Sequence, residues 1–263
     1  SKAVRDKLED FKKSGKFVYA YANYYTQGEY YLNSVADQVY LNPMGEVDFK
    51  GLSSEIIYMK DLQEKSGVKM EVIRHGKYKS AVEPFLAQEM SPENREQMTV
   101  LLNSVWNTIV ADISKSRKLS VAQLNAIANT LGARTPELAL ANKLVDKVAY
   151  EDEYHDMIRA KLKVDKKEKY DIVSITDYAK KASSTVEDYS KDDIIAVIYA
   201  QGEIAGGEGD VNVIGEGSIK RSLQEARDDK DVKAIVLRVN SPGGSALTSE
   251  LIWREIEITK KVK

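Results

Sequence analysis

The 263 residues are 43% hydrophobic with only five prolines, a content that buries one large core or two modest ones and excludes a disordered chain. Lysine and arginine (39) nearly balance aspartate and glutamate (41), so the broad positive field that a nucleic-acid partner requires is absent, and the lack of cysteine excludes disulfides, thiolate nucleophiles and cysteine zinc sites. No apolar run reaches the roughly 18 to 20 residues that cross a bilayer, and no signal peptide opens the chain.

Taken in chain order, Val4 to Lys13 has an amphipathic helical pattern and passes through Ser14-Gly15-Lys16 into an apolar, aromatic run, Phe17 to Ala22, that predicts a strand. Further strands are expected at Gln38 to Leu41 and Met70 to Arg74. Ser91-Pro92 sets a capping hydroxyl before a proline at the first helical position, and Met98, Leu101, Leu102, Val105 and Ile109 follow at helical spacing. Ser120 to Gln123 forms a capping box with Gly132 as the stop; Thr135-Pro136 then opens a helix expected to run through Leu138, Leu144, Val145 and Val148. Residues 150 to 193, rich in Lys, Asp, Glu and Ser, read as a charged, partly helical connector. Beyond it come strands at Ile194 to Ala200 and Lys233 to Val239, with six glycines between Gly202 and Gly217 that predict a mobile loop, and a last helix after Gly244.

Short apolar runs alternating with helices predict an α/β fold with mostly parallel, buried strands. Both ends fall inside helical patterns: Ser1-Lys2-Ala3-Val4 begins without a methionine, and 259–263 closes another helix. The simplest account is a tandem repeat of β-β-α units, entered midway through the first copy and left midway through the second, in a longer protein with room for a membrane anchor elsewhere. The expected domains are 1–149 (first repeat, partial), 150–193 (connector) and 194–263 (start of the second repeat).

The strongest local feature is Lys233 to Ser245, in which an apolar strand runs into Asn240-Ser241-Pro242-Gly243-Gly244 and then a helix. Glycine N–H groups at a helix start can approach a ligand and hold an oxyanion. An ordinary tight strand-to-helix connection accounts for the same residues equally well. Neither His75 nor His155, the two histidines, lies in a nucleophile context, and the acidic residues around His155 lack metal-ligand spacing, so no metal or other cofactor is expected. Tyr19, Tyr21, Tyr24, Tyr25, Tyr30 and Tyr31 can line an extended-peptide site, although core packing is the commoner use of such a cluster.

Val239 to Gly244 resembles the strand and oxyanion loop of the Clp protease/crotonase superfamily, and Ala234 to Glu250 is similar to the second half of signal peptide peptidases of the protease IV type. The first segment is similar to the same family: Gly76-Lys77-Tyr78-Lys79-Ser80-Ala81-Val82-Glu83-Pro84-Phe85 followed by Met90-Ser91-Pro92-Glu93 matches its lysine motif, with Gln27 to Leu32 and Ala139 to Asp146 as further matches.

The resemblance implies a serine endopeptidase with a Ser–Lys dyad that degrades remnant signal peptides, without a cofactor. It also implies a homo-oligomer, a tetramer, held at the bacterial inner membrane with its catalytic part on the extracytoplasmic side. Carried over by residue, Lys79 is the general base, Gly243 and Gly244 supply oxyanion amides, and the nucleophilic serine lies outside this chain, Gln27 standing at the corresponding place of the first repeat.

A lysine amine accepts a proton near neutrality only if its pKa falls from about 10.4 towards 7, a change of roughly 4 to 5 kcal/mol that calls for apolar neighbours such as Tyr78, Val82 and Phe85. Without the resemblance Lys79 is one lysine among many, for which a surface position is the default. The rival readings are a crotonase-like acyl-CoA enzyme, against which the want of an acidic base near a CoA loop counts, and a non-catalytic scaffold module.

Overall fold

In chain order the computed structural model, which describes residues 2–73, 75–166, 168–182 and 193–263, begins with α1 (Lys2–Lys13), β1 (Tyr19–Ala22), α2 (Gln27–Asn33) and β2 (Gln38–Leu41). It continues through α3 (Lys60–Ser66), a 3-10 turn (Ser80–Val82), α4 (Glu83–Leu86), α5 (Pro92–Arg117), α6 (Val121–Asn129), α7 (Pro136–Ala141), β3 (Lys147–Val148) and α8 (Glu151–Leu162). Then follow α9 (Ile175–Ala182), β4 (Ile194–Gln201), β5 (Glu203–Ile204), β6 (Gly209–Asp210), β7 (Val213–Ile214), α10 (Glu216–Asp228), β8 (Val232–Asn240) and α11 (Ala246–Thr259). The chain divides into two compact units, Ser1–Asp171 and Ile172–Lys263. Among the described residues no helix is long and apolar enough to cross a membrane.

In the first unit β1, β2 and β3 form a parallel sheet in that order, with Tyr19 opposite Gln38 and Tyr40 opposite Lys147. Short polar side chains fix the helix starts. Thr26 and Glu29 make a reciprocal capping box on α2, Ser120 and Gln123 another on α6, and Ser91 and Thr135 cap α5 and α7 ahead of their prolines. The core gathers Tyr30, Val39, Leu41 and Phe49 against Ile113 of α5 and Leu124 of α6. Arg5 is buried beneath α1 and donates to the Ser34 and Ser116 hydroxyls and the Tyr31 and Asp112 carbonyls, so it pins α1 to α2 and α5. Such a guanidinium stays charged, and its burial is tolerable because its donors are met in a fixed fork.

Three expectations change here. The helix from Pro136 stops at Ala141 instead of running to Val148, because Lys143 turns at φ 60° and Asp146 joins the sheet, its N–H donating to Val39 O and its carboxylate accepting from Val39 N at 2.7 Å. The apolar spacing that looked helical is spent on Leu144 and Val145 in the core and on strand β3. Met70 to Ile73 is not a strand; Met70 N–H goes to the Gln63 side chain and Ile73 is fully exposed, while Arg74 lies outside the described residues. On α5 the apolar stripe is only partly used, since Leu101 and Val105 are exposed and the core contacts come from Trp106, Ile109, Val110 and Ile113.

In the second unit β4 and β8 pair in parallel along their length, from Ile195 opposite Ala234 to Gln201 opposite Asn240. Ile198, Ala200, Ile235 and Leu237 pack on Ile219 and Leu223 of α10 and Ile252 of α11. The expected burial of both faces fails within this unit: Ile195, Val197, Tyr199 and Val236 face outward and are 47 to 66% exposed. The six-glycine segment, expected to be a mobile loop, is instead a small sheet in which β7 lies between β5 and β6. The backbones there crowd; a Cβ on Gly202, at φ +98°, would stand 1.6 Å from Asn212 O.

Residues 150–182, read as a connector, contribute to both units. Tyr154 of α8 stacks on Tyr21 and meets Tyr40 edge-on, and its hydroxyl reaches Tyr19 O at 3.3 Å, which fastens α8 to the first unit's sheet. Residues 183 to 192 of that segment lie outside the described residues.

Candidate active site

The segment bearing Lys79 is an arch whose two feet rest on the start of α5. Lys79 occupies the N-cap position of the 3-10 turn and its side chain is exposed. On one side the Tyr78 hydroxyl donates to Glu96 Oε2 at 3.2 Å. On the other, Glu83, the residue that ends the 3-10 turn and begins α4, turns its carboxylate inward and is 3% exposed. Its Oε1 accepts from the Ser91 N–H at 3.2 Å; its Oε2 accepts from Asn94 Nδ2 and from the Tyr58 hydroxyl at 3.3 Å. These donors suit an anion, since Ser91 and Asn94 stand at the cap and third position of a 26-residue helix whose unpaired N–H groups favour negative charge.

Burial by itself pushes the Glu83 carboxyl up, but the hydrogen bonds from Ser91, Asn94 and Tyr58 outweigh it and hold the group below the usual carboxylate range. A depressed folded-state pKa adds stability that is present above the unfolded value, about 4.3, and is lost as pH falls through the folded value. Melting temperature is therefore expected to drop as pH falls below about 4, and Glu83→Gln to remove that part of the drop; circular-dichroism melts between pH 3 and 6 measure it. The fit has a cost: Asn94, 2% exposed, leaves Oδ1 without a partner among the described residues. A buried unmet acceptor costs about 1 to 3 kcal/mol.

The neighbours expected to dry the Lys79 amine do not enclose it. Tyr78 is 54% exposed, and Val82 and Phe85 are half-buried. Phe85 and Leu86, with Val68 and Met70, instead line an open cleft of about 350 Å3 beside α3. The segment is braced there by Met59 N to Pro84 O at 2.7 Å and Gln63 Nε2 to Phe85 O at 3.0 Å.

The glycine turn lies in the second unit, after β8. Gly243 O accepts from Ile204 N at 2.9 Å and Ser245 N donates to Ile204 O at 2.8 Å, a parallel bridge centred on Gly244. In a bridge of that form the flanking residues carry the bonds, and the N–H of Gly244 points away from β5 and is unclaimed among the described residues. The two glycines therefore differ: the Gly243 N–H already donates to Ser241 Oγ at 3.1 Å. Gly244, at φ +151°, is forced to be glycine by contact as well, since a Cβ there would lie 2.1 Å from Ile204 O, whereas a Cβ on Gly243, at φ +108°, meets open space. Ser245 caps α11 through Thr248 N at 3.2 Å, and Ser241 is spent on Gly243.

Gln27 heads α2 with its side chain committed to backbone, accepting from Lys50 N and Gly51 N and donating to Gly51 O. Of the tyrosine cluster, Tyr25, Tyr30 and Tyr31 are core residues, their hydroxyls on Tyr40 O, Leu144 O and Asp112 Oδ2, and burial pushes Tyr31 up to about 12. Of the other three, Tyr24 is exposed, while Tyr19 and Tyr21 are half-buried, with the Tyr154 ring stacked on Tyr21. His155 meets the Tyr170 hydroxyl through Nδ1.

Comparison with known proteins decides the family. The model of peptidase family S49 matches residues 10–165, which include the whole Lys79 arch and its α5 footing. The chain belongs to peptidase family S49. It is 37% identical over 266 residues to protease 4 of Haemophilus influenzae and 38% identical over 257 residues to protease 4 of Salmonella typhi, alignments that cover 97% and 95% of the chain. It is also 30% identical over 264 residues to the chloroplastic serine protease SPPA of Arabidopsis thaliana. The chain spans about two-fifths of the length of these curated relatives, 43%, 41% and 39% respectively. The mixed α/β architecture with parallel strands is that expected of an S49 peptidase. Glu83, Asn94 and Tyr58 were not singled out by sequence reasoning; the one legible signal was a glutamate before a proline, eight residues ahead of a helix cap.

Proposed function

We propose that this S49 chain is part of a serine endopeptidase that degrades remnant signal peptides at a membrane, with Lys79 as general base and the Gly244 N–H as an oxyanion donor. The observation that carries the proposal is the placement of Lys79 on a doubly anchored arch inside the stretch that the family model matches. The nucleophile is a serine outside this chain: Ser241 and Ser245 are held by the glycine turn and the α11 cap, and Gln27 has no nucleophilic atom. In the reaction the neutral Lys79 amine takes the serine proton, the serine oxygen attacks the peptide carbonyl, and the acyl-enzyme is then hydrolysed. Gly244 N–H is better placed than Gly243 N–H to meet the oxyanion, because it has no bond to surrender.

Lys79 is exposed here, so the dry surroundings that a neutral amine needs must come from protein that packs over the arch. A homotetramer anchored in the inner membrane, with the catalytic part on the extracytoplasmic side, is the assembly proposed. The test is labelling of the full-length protein by a fluorophosphonate probe together with cleavage of a synthetic signal peptide. We expect one labelled serine per chain, outside residues 1–263; labelling confined to a serine within them, or no peptide cleavage with tight acyl-CoA binding, overturns the reading.

A further inference from the structure

We propose that Glu83 is a positioning residue for Lys79: its buried carboxylate locks the lysine arch onto the first turn of α5 and thereby sets where the amine stands. The inference rests on the peptidase reading above and adds to it a residue that never touches substrate.

Three observations converge on it. The first is the inversion of burial along the motif. The lysine is exposed while the acid four residues later is 3% exposed, so the acid is not there for solubility, and ionised side chains are rarely buried without a dedicated environment. The second is the nature of its partners. Ser91 N–H, Asn94 Nδ2 and the Tyr58 hydroxyl are all uncharged donors, two of them belonging to the α5 start. The anion is thus held mainly by neutral groups on the N-cap residue and first turn of a long helix that reaches into the core at Val110 and Ile113. The third is the sacrifice at Asn94. Turning its amide over would satisfy Oδ1 no better and would set that oxygen against the carboxylate, so the observed orientation is the one dictated by Glu83.

The linkage to the lysine is short and stiff. Glu83 N–H closes the 3-10 turn on Ser80 O, directly after Lys79 at the turn's N-cap, and Glu83 O accepts from Ala87 N at 2.9 Å in α4. With Tyr78 held to Glu96 on the far side, four residues hang between two anchors on one helix. A catalytic base must be held within about 0.5 Å of its working position, and exposed backbone without such anchors does not do this.

The experiment is steady-state kinetics on the full-length protein with a signal-peptide substrate, comparing wild type with Glu83→Gln, Asn94→Ala, the double variant and Lys79→Ala. Gln is nearly isosteric but must turn its NH2 towards either Ser91 N–H or the Asn94 amide. We expect Glu83→Gln to lower kcat about 10- to 100-fold with KM within about twofold. Asn94→Ala should lower kcat in the same sense, and the double variant should fall no further than the worse single one, because the two act through one contact.

A merely structural role predicts a lower melting temperature with kcat per folded enzyme unchanged. Glu83→Gln or Asn94→Ala protein that is folded by circular dichroism and retains wild-type kcat overturns the proposal. If Glu83→Gln does not fold, Asn94→Ala carries the same decision. Lys79→Ala separates the two levels: activity retained there removes the dyad reading itself, whereas an inactive Lys79→Ala beside a fully active Glu83→Gln removes only the positioning role.

Discussion

Replacing Lys79 by alanine in the full-length protein is expected to lower signal-peptide hydrolysis by about 10^2- to 10^4-fold, the usual loss when a general base is removed. Stability should hardly change. Lys79 is exposed at the N-cap of a short turn on which its side chain makes no cap bond, and exposed substitutions outside buried networks lie within about 0.5 kcal/mol. That separation makes the test sharp: an inactive variant with a wild-type melting temperature has lost chemistry, not fold. Lys79→Arg should be as inactive as alanine, since a guanidinium keeps its charge and cannot accept the serine proton. Hydrolysis at the wild-type rate by either variant would remove the assignment of Lys79 as base.

The second large effect is expected at the glycine turn, where the two neighbours should behave differently. Gly244→Ala sets a Cβ 2.1 Å from Ile204 O and 2.7 Å from Ile204 N, both backbone atoms, so either the turn or β5 must move. Moving the turn breaks the pair of bonds that Ile204 makes with Gly243 and Ser245 and takes the Gly244 N–H away from its outward direction. Loss of one oxyanion donor lowers kcat by about 10^2- to 10^3-fold. Gly243→Ala has open space for its methyl group and carries only the strain of φ +108°, about 1 to 3 kcal/mol, with a smaller effect on rate. Thermal melts and kcat of both variants in the full-length protein decide it. If Gly243→Ala proves the more damaging to turnover, the oxyanion role moves to Gly243.

Much of the fold could be read from residues whose effect is local. Ser91-Pro92 and Thr135-Pro136 each start a helix where a hydroxyl and a proline leave little choice, Ser120 and Gln123 start another through a reciprocal capping box, and Gln38 to Leu41 is a strand with the bounds expected. Failures came where long-range contact overruled a local period. Leu144, Val145 and Val148 fit helical spacing, yet β2 offered an open edge at Val39 to Leu41 and Asp146 took it. Met70 to Arg74 has strand-like residues, but among the described ones no neighbouring strand meets it, and a strand without a partner has nothing to hold it.

At the candidate site the division is similar. The sequence by itself determined the family, through the lysine motif and the strand that runs into Pro242-Gly243-Gly244, because each is a contiguous run whose residue types can be read without knowing what packs on it. It also determined that Gln27 is no nucleophile. Only the tertiary structure decided that Glu83 is buried, that Asn94 turns its amide towards it, and that Gly244 rather than Gly243 has an unclaimed N–H. The physical reason is that burial and the direction of a hydrogen bond belong to pairs of residues. Glu83 is an ordinary acid until the start of α5 is laid against it, and Gly244 is an ordinary turn glycine until Ile204 lies 2.1 Å from where its Cβ would be.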